Sequence, residues 1–181
     1  MDRIVKPILV VDYDPEWPVR FERLRALIQS ALGEVVSRIE HVGSTAVPGL
    51  AAKPIIDLDV VVSSLSLLPL VIERLDSIGY VHEGDLGIEA RQAFRAPPNL
   101  PAHHLYVCPE GSSALANHLT IRDRLRSDPA LAREYGRLKR SLAQDFARDS
   151  GAYVAGKTQF LLSILRAAGF HTGPDGTLLA P

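Results

Sequence analysis

The sequence predicts an α+β domain in which a small mixed β-sheet with flanking helices precedes a C-terminal group of three helices. Every stretch with strand character lies before residue 110, one crossover helix interrupts these strands, and helical spacing dominates the remainder. We expect a single domain over residues 1–170, because 181 residues suffice for one well-buried core but are short for two. Residues 171–181 have too little periodicity to dock and are expected to form a loose tail.

The first elements predicted are a helix and two strands. Asp14 and Pro15 suit the entrance of a helix whose apolar residues recur at three- and four-residue spacing until Gly33 ends it. Residues 37–42 then form a strand that enters a Gly-Ser turn, and the loop at 45–52 contains Pro48 and Gly49. The strand at 55–62 is the strongest of the chain, since it is β-branched and nearly all apolar, as in a strand covered on both faces.

The remaining elements follow from the same signals. Helical spacing over residues 66–79 ends at Gly79, and Ser112 or Ser113 and later Asp128 suit the entrances of two further helices. The predicted ranges are strands at 80–83, 88–95 and 103–108, a Pro-rich loop at 96–102, and helices at 112–126, 128–148 and 152–168.

Two aspartates interrupt the strongest strand. Asp57 and Asp59 are two residues apart, so their side chains leave the same face with Cα atoms about 6.5 to 7 Å apart. Two anions on a buried strand repel each other and lose hydration unless a cation or hydrogen-bond donors compensate. A Mg²⁺ ion that also binds phosphate oxygens is one answer; the alternative is a pair held by hydrogen bonds or by Lys53 and an arginine.

A glycine and a serine directly follow the preceding strand. Gly43 allows the backbone to approach a phosphate closely, and the Ser44 hydroxyl can donate a hydrogen bond to it. A Gly-Ser pair alone has little specificity, and a structural tight turn is the alternative. Its position upstream of an acid-x-acid strand predicts a site where one part binds phosphate and the other binds its metal.

Composition excludes several classes of protein. A formal net charge of −1 argues against a protein that wraps nucleic acid over its whole surface. The single Cys108 can form neither an internal disulfide nor, alone, a zinc site. No apolar run approaches the roughly 20 residues that span a bilayer, and the N-terminus lacks the apolar stretch of a signal peptide, so we expect a cytoplasmic protein without membrane contact. Residues 120–140 carry seven Lys/Arg against three acids, which predicts solvated helix faces or a local basic patch.

The motifs HVGSTAVPGL at 41–50 and KPIIDLDV at 53–60 resemble the signature of the GrpB (UPF0157) family. The resemblance extends over residues 5–168 and includes YDPEW at 13–17, HHLYV at 103–107, and single positions further on: His118, Arg122, Tyr153 and Lys157. This family is similar to the nucleotidyltransferase superfamily, and in some bacteria a related domain is fused to dephospho-CoA kinase. The resemblance implies a nucleotidyltransferase-like fold that takes a nucleotide triphosphate, a Mg²⁺ or Mn²⁺ cofactor and an unknown acceptor.

The resemblance implies roles for most of these residues, but this chain departs from active nucleotidyltransferases at the third carboxylate. Asp57 and Asp59 are expected to be catalytic and to bind the metal, whereas active nucleotidyltransferases commonly add a third carboxylate from a later strand. The strand at 103–108 has no acid, so we expect His104 to take that catalytic place, with Glu89 as the substitute acid. Because imidazole suits Mn²⁺ or Zn²⁺ better than Mg²⁺, the metal preference is open. The phosphate- or nucleotide-binding candidates are His41, Gly43, Ser44, Lys53, Arg122 and Lys157.

Several of these residues also have a purely structural alternative. His41 either faces the site or is a hydrogen-bonded core histidine, and Arg122 and Lys157 are either phosphate contacts or ordinary surface cations. Three functions follow: transfer of a nucleoside monophosphate to an acceptor, binding of a nucleotide or CoA-like ligand without chemistry, and contact of the basic helices with RNA or a partner protein. Net charge makes nucleic acid the least favoured partner without excluding it, and the oligomeric state is not indicated.

Overall fold

A computed structural model of the chain describes residues 7–172 and 178–180. A five-stranded mixed sheet is combined with five α-helices, which confirms the predicted α+β class. The elements are α1 (Glu16–Leu32), β1 (Arg38–Val42), β2 (Ile56–Val62), α2 (Leu68–Asp76), β3 (Val81–Gly84), β4 (Gln92–Arg95), β5 (His103–Pro109), α3 (Ser113–Ser127), α4 (Pro129–Asp145) and α5 (Ser150–Ala167).

The strand order in the sheet is β1-β2-β5-β4-β3. The central pair β2 and β5 is parallel, and every other neighbouring pair is antiparallel. The parallel pair requires a crossover, which contains α2, β3 and β4. β2 therefore lies inside the sheet with partners on both sides, as its apolar composition predicts.

Helices cover the two faces of the sheet differently. On one face, α1 and α2 pack against β2 and β5 in the main hydrophobic core, where Trp17, Ile28, Leu58 and Leu75 are fully buried. On the other face, α3 packs through Ala114 and Leu115 against Val61 and Cys108. A separate cluster joins α3, α4 and α5 to the loop after β1 and is built from Val47, Leu50, Leu125, Ala132, Tyr135 and Ile164.

Two helix entrances follow the predicted capping. The Asp128 carboxylate accepts hydrogen bonds from the Ala130 and Leu131 amides, and the Ser112 hydroxyl accepts one from the Leu115 amide. Two others differ: α1 begins at Glu16 with Pro15 at the N-cap, although the Asp14 carboxylate accepts a hydrogen bond from the Glu16 amide, and Asp149 caps α5, which begins at Ser150, two residues before the predicted start. These caps fix where α3, α4 and α5 begin, and thus which residues face the sheet.

Two predicted elements are shorter than expected. β4 begins at Gln92 and not at residue 88, because Leu86 and Ala90 adopt positive φ values of 50° and 57° that interrupt an extended strand. Glu89, expected on that strand, is therefore exposed in a turn. The helix predicted at 66–79 starts at Leu68, because residues 65–67 form a separate 3₁₀ turn.

The tail prediction for residues 171–181 falls partly outside the described residues, since 173–177 and 181 are not among them. Within the described part, His171–Thr172 pairs antiparallel with Leu178–Leu179. The division into a domain and a tail stays a prediction.

Candidate functional site

The two aspartates of β2 lie on the sheet face opposite the main core. Strand register places Asp57 beside His104 and Asp59 beside Tyr106 of β5. The His104 ring donates from Nδ1 to Asp57 Oδ1 at 2.7 Å, and this hydrogen bond raises the pKa of His104 against the lowering effect of burial. With 53% of its side chain exposed, His104 remains accessible to a ligand while Asp57 fixes its orientation.

Asp59 is completely buried, and helix α3 covers it. Its Oδ2 accepts a hydrogen bond from His118 Nδ1 at 2.7 Å, whereas Oδ1 has no hydrogen-bond partner in the part of the chain that the structure describes. An unsatisfied buried carboxylate oxygen is costly, on the order of a few kcal/mol. The sequence therefore places on β2 a charge that the protein alone compensates only in part.

The carboxylates of Asp57 and Asp59 fit a divalent cation that is bound partly by the protein and partly by a substrate phosphate. A cation held by Asp57 and Asp59 would give the unpaired Asp59 oxygen a partner, and Mg²⁺ typically uses one or two carboxylates together with phosphate and water. Among residues 7–172 and 178–180, no group of three or more His, Cys, Asp or Glu side chains is arranged to hold a metal.

The Gly-Ser turn packs closely against the Asp57 carboxylate. Gly43 has φ 69° and ψ −169°, and a Cβ atom at this position would lie 2.2 Å from Asp57 Oδ2. Only glycine combines this left-handed backbone with such a close approach to a carboxylate. Ser44 then begins a short 3₁₀ turn and faces the same cleft as Asp57.

A cleft of about 360 Å³ lies between this sheet face and helices α4 and α5. We call it the lysine cleft, because three lysines line it opposite Asp57; its lining includes Ser44, Lys53, Asp57, His104, Lys139, Tyr153 and Lys157. Lys53 and Lys157 both hold their ammonium groups 4.6 Å from the centre of the Tyr153 ring. Burial and the neighbouring charge of Lys53 lower the pKa of Lys157.

Lys139 is the most unusual of these cations. Only 2% of the residue is exposed, and its Nζ has no hydrogen-bond partner within the described residues, although it lies 4.5 Å from the centre of the Tyr135 ring. Burial, together with the charge of Lys157, lowers the pKa of Lys139 to about 7. A buried, unpartnered amine next to two further lysines is the arrangement of an anion site.

Two of the predicted phosphate contacts lie elsewhere. His41 pairs with Leu58 in the sheet, stacks on Phe21 at 4.5 Å and has Nε2 3.0 Å from the Thr45 hydroxyl. Burial lowers the pKa of His41 to about 4, so it is a neutral core histidine on the opposite face, and the placement does not support a phosphate contact. This is the structural alternative, a core histidine, that the sequence left open.

Arg122 is likewise occupied by protein groups. Its guanidinium donates to the Glu40 and Asp123 carboxylates and to the His41 carbonyl, and the residue does not line the lysine cleft. Within the basic stretch at 120–140, Arg126 also donates to a backbone carbonyl, that of Ala46. Arg124, Arg133 and Arg137 are exposed, as expected of solvated helix faces, whereas Arg122 and Arg126 donate to protein groups and Lys139 is buried.

Several site residues were not assigned from the sequence, although a signal for them exists. Lys139 occupies the buried stripe of α4 together with Ala132, Tyr135 and Leu142, where an apolar residue is expected. His118 likewise follows Ala114 and Leu115 at helical spacing toward the sheet. No such signal marks Arg91, which lies just before the shortened strand β4. Its guanidinium carbon lies 4.3 Å from the centre of the Tyr106 ring.

No helix within residues 7–172 and 178–180 is both long enough and apolar enough to cross a bilayer.

Related proteins have the same core fold. The chain is 35% identical to the crystal structure of conserved protein GrpB from Enterococcus faecalis, with a TM-score of 0.79 over 86% of this chain and 94% of that one. The Cid1 poly(U) polymerase with bound MgGTP (TM-score 0.54, 17% identity, 74% of this chain and 44% of that one) and the GLD-2/RNP-8 complex (0.55, 15%, 83% and 60%) share only the fold. These neighbours confirm a nucleotidyltransferase-like architecture.

Sequence relatives define the family. Curated relatives include UPF0157 protein BH1888 of Halalkalibacterium halodurans, 37% identical over 89% of this chain and 82% of that protein. The chain spans 46% of UPF0157 protein YqkA of Bacillus subtilis, at 31% identity over 86% of its own length, and 46% of a dephospho-CoA kinase of Mycolicibacterium paratuberculosis, at 30% over 90%. The family model described as "GrpB protein" matches residues 7–167, and the chain accordingly belongs to the GrpB family.

Proposed function

We propose that this protein binds a nucleotide triphosphate with a divalent metal in the lysine cleft and transfers the nucleoside monophosphate to the hydroxyl or phosphate of an acceptor. The observation that carries this proposal is the placement of Lys53, Lys139 and Lys157 across one cleft from Asp57. The lysines suit a polyphosphate, and the paired aspartates suit the metal that accompanies it. A nucleotidyltransferase-like fold supports the assignment at the level of architecture.

Each part of the cleft has a distinct task in this mechanism. Ser44 and the lysines bind the phosphates. Asp57 and Asp59 would hold Mg²⁺ or Mn²⁺, which would polarise the phosphate and neutralise its charge. His104, oriented by Asp57, accepts the proton of the acceptor while the acceptor oxygen attacks the α-phosphorus. The bond to the β-phosphate breaks, pyrophosphate leaves, and Lys139 and Lys157 neutralise the charge that develops on it.

Calorimetry tests the binding half of this proposal. ATP, GTP, CTP and UTP would be titrated with Mg²⁺ or Mn²⁺ into the wild type, Lys139→Gln and Asp57→Asn, with Arg133→Gln as a control on the exposed side of α4. We expect at least one triphosphate to bind the wild type and Arg133→Gln alike, and tenfold or more weakly to the two cleft variants. Negligible binding throughout, or equal binding to all four proteins, would refute the proposal.

A binding module without chemistry is the second candidate function. It is favoured by β5, which carries His104 beside Asp57 and has no acidic side chain that could serve as a third carboxylate. A 30% identical relative is named dephospho-CoA kinase, so a CoA-like ligand belongs in the same screen. If a triphosphate binds but labelled nucleotide releases no pyrophosphate with any acceptor pool, this second function replaces the first.

A further inference from the structure

A second cavity, of about 540 Å³, opens beside the lysine cleft. We call it the apolar cavity; its lining is Pro7, Ile8, Leu9, Lys53, Pro54, Ile55, Ala102, Arg148 and Ser150. Lys53, Ile55 and Ser150 line both spaces, so the two cavities are adjacent. A group bound at Lys53 therefore lies at the border of both.

Backbone hydrogen bonds fix the wall that the N-terminal segment supplies. The Ile8 amide donates to the Ala147 carbonyl at 2.7 Å, which ties the segment to the connection between α4 and α5. Val11 and Ala52 exchange two backbone hydrogen bonds at 2.9 and 3.0 Å, which ties it to the loop before β2. The segment that supplies Pro7, Ile8 and Leu9 to the lining is therefore anchored at two points.

The chemistry of the lining selects the kind of ligand. Six of the nine lining residues are apolar, and Leu9 is 61% exposed, so its side chain is available to pack against an apolar ligand group. The polar edge of a nucleobase would find few partners here, whereas an aliphatic chain needs none. The charged groups, Lys53 and Arg148, suit an anionic head group at the margin.

We propose that the apolar cavity binds the acceptor, and that the acceptor is a phosphomonoester with an aliphatic arm. The arm packs against Leu9, Pro54 and Ala102, and the phosphate lies on Lys53, between the cavity and the lysine cleft. The cavity volume falls in the range of small-molecule sites, roughly 300 to 1,000 Å³. The role of this ligand as acceptor depends on the proposed nucleotidyl transfer, whereas its binding in the apolar cavity does not.

Alkyl phosphates of increasing length test the site on the full chain. Ethyl, butyl and hexyl phosphate would be titrated by calorimetry into the wild type, Leu9→Gln and Leu86→Gln. Leu86 is a matched control, because it is also 61% exposed but does not line the cavity. Burial of one methylene strengthens binding about fourfold, so we expect hexyl phosphate to bind the wild type and Leu86→Gln at least tenfold more tightly than ethyl phosphate.

The Leu9→Gln variant should lose most of this chain-length dependence while keeping its affinity for ethyl phosphate. Affinity that does not depend on chain length in the wild type, or an identical dependence in Leu9→Gln, would overturn the assignment of the arm to this cavity. A parallel titration with ATP separates the two proposals. Chain-length dependence without ATP binding would leave the amphiphile site standing and would remove nucleotidyl transfer.

Discussion

Two ionisable residues of this protein are buried at positions where an apolar side chain would be expected. Asp59 and Lys139 are both buried, and within residues 7–172 and 178–180 neither Asp59 Oδ1 nor Lys139 Nζ has a hydrogen-bond partner. Each costs folding free energy that an apolar residue would not cost. Unsatisfied charges of opposite sign, one on the sheet and one on α4, are most simply explained by a ligand that carries both phosphate and metal.

The Gly43→Ala substitution tests the support of Asp57. The new Cβ atom would meet Asp57 Oδ2 at 2.2 Å, so the carboxylate must move, and the backbone stays strained at φ 69°. We expect triphosphate affinity to fall at least tenfold and the free energy of unfolding to fall by about 1 to 3 kcal/mol. Calorimetry and urea unfolding measure the two effects.

Gly49→Ala is the matched control for that variant. Gly49 has φ 77°, a comparable left-handed backbone, but nothing lies within 4 Å of an added Cβ atom. Its stability should fall by a similar backbone amount, while triphosphate affinity is retained. Equal losses of affinity in both variants would show that strain in the turn, and not contact with Asp57, controls binding.

The Lys139→Met substitution should stabilise the protein. The pKa of Lys139 falls from 10.5 to about 7 on folding, so between these values the unfolded chain binds more protons and stability rises with pH. The cost of burying the charge is therefore full below about pH 7 and absent above about pH 10.5. Methionine should raise the free energy of unfolding by on the order of 2 kcal/mol at pH 7, and by less at pH 10.

Urea unfolding of the wild type and Lys139→Met across this pH range checks the prediction, with triphosphate affinity measured on the same samples. A stabilised variant that no longer binds triphosphate would identify a residue kept for function at the expense of stability. A variant less stable than the wild type at pH 7 would show that Lys139 has a structural partner.

At the level of elements, α4 and α5 present their lysines in the same way. Each helix carries a tyrosine and, four residues later, a lysine whose ammonium lies over that tyrosine ring: Tyr135 with Lys139, and Tyr153 with Lys157. Residues four apart lie on one helix face. Lys139, Tyr153 and Lys157 line the cleft, and Tyr135 belongs to the hydrophobic cluster beside it. The close approach of α4 and α5 determines how near the two lysines come.

The Gly156→Ala substitution tests that approach. An added Cβ atom on α5 would lie 2.4 Å from Leu142 Cδ2 of α4, so Leu142 or the helix must shift. Alanine normally stabilises a helix interior by about 1 kcal/mol relative to glycine. Here we expect the free energy of unfolding to fall by about 1 kcal/mol and the affinity for triphosphate to weaken, because Lys157 is the next residue.

Gly136→Ala on α4 is the corresponding control. The nearest atom to its added Cβ is Leu50 Cδ1 at 3.6 Å, an ordinary contact. Thermal and urea unfolding should show Gly136→Ala stabilised by up to about 1 kcal/mol with binding unchanged. If both substitutions stabilise equally, the contact between Gly156 and Leu142 does not limit the packing of the two helices.

For the whole molecule, the cleft joins two parts of the fold with opposite charge. The sheet contributes Asp57, and the C-terminal helices contribute Lys139 and Lys157. A triphosphate between them should raise the depressed pKa of Lys139, because the anion favours the charged amine. Binding of the ligand is therefore coupled to protonation.

We expect triphosphate binding at pH 8 to take up protons, with an upper bound near one proton per site from Lys139. Since this amine has a pKa of about 7 in the free protein, it is mostly neutral at pH 8 and becomes charged on binding, so affinity should decline as the pH rises from 7 to 9. Calorimetry in two buffers of different ionisation enthalpy measures the uptake. Lys139→Met should abolish it and Arg133→Gln should not; uptake that persists in Lys139→Met would assign the proton to another group.

Much of this protein could be predicted from local sequence. The order of helices and strands, the caps at Ser112 and Asp128, and the two-residue spacing of Asp57 and Asp59 all depend on neighbouring residues, which periodicity and capping report directly. The exceptions are local as well. The turn at 85–91 breaks a predicted strand because Leu86 and Ala90, which have no glycine-like signature, adopt positive φ.

The sequence by itself determined the α+β class, the family resemblance and the acidic strand, because each is encoded within a short window. Only the tertiary structure decided which distant residues share a space. It placed His41 in the core and engaged Arg122 with Glu40, yet brought Lys139 and Lys157 to Asp57 from helices that follow in the second half of the chain. Contacts between residues so far apart depend on how helices pack on the sheet, and side-chain periodicity within one element carries no information about the element it will meet.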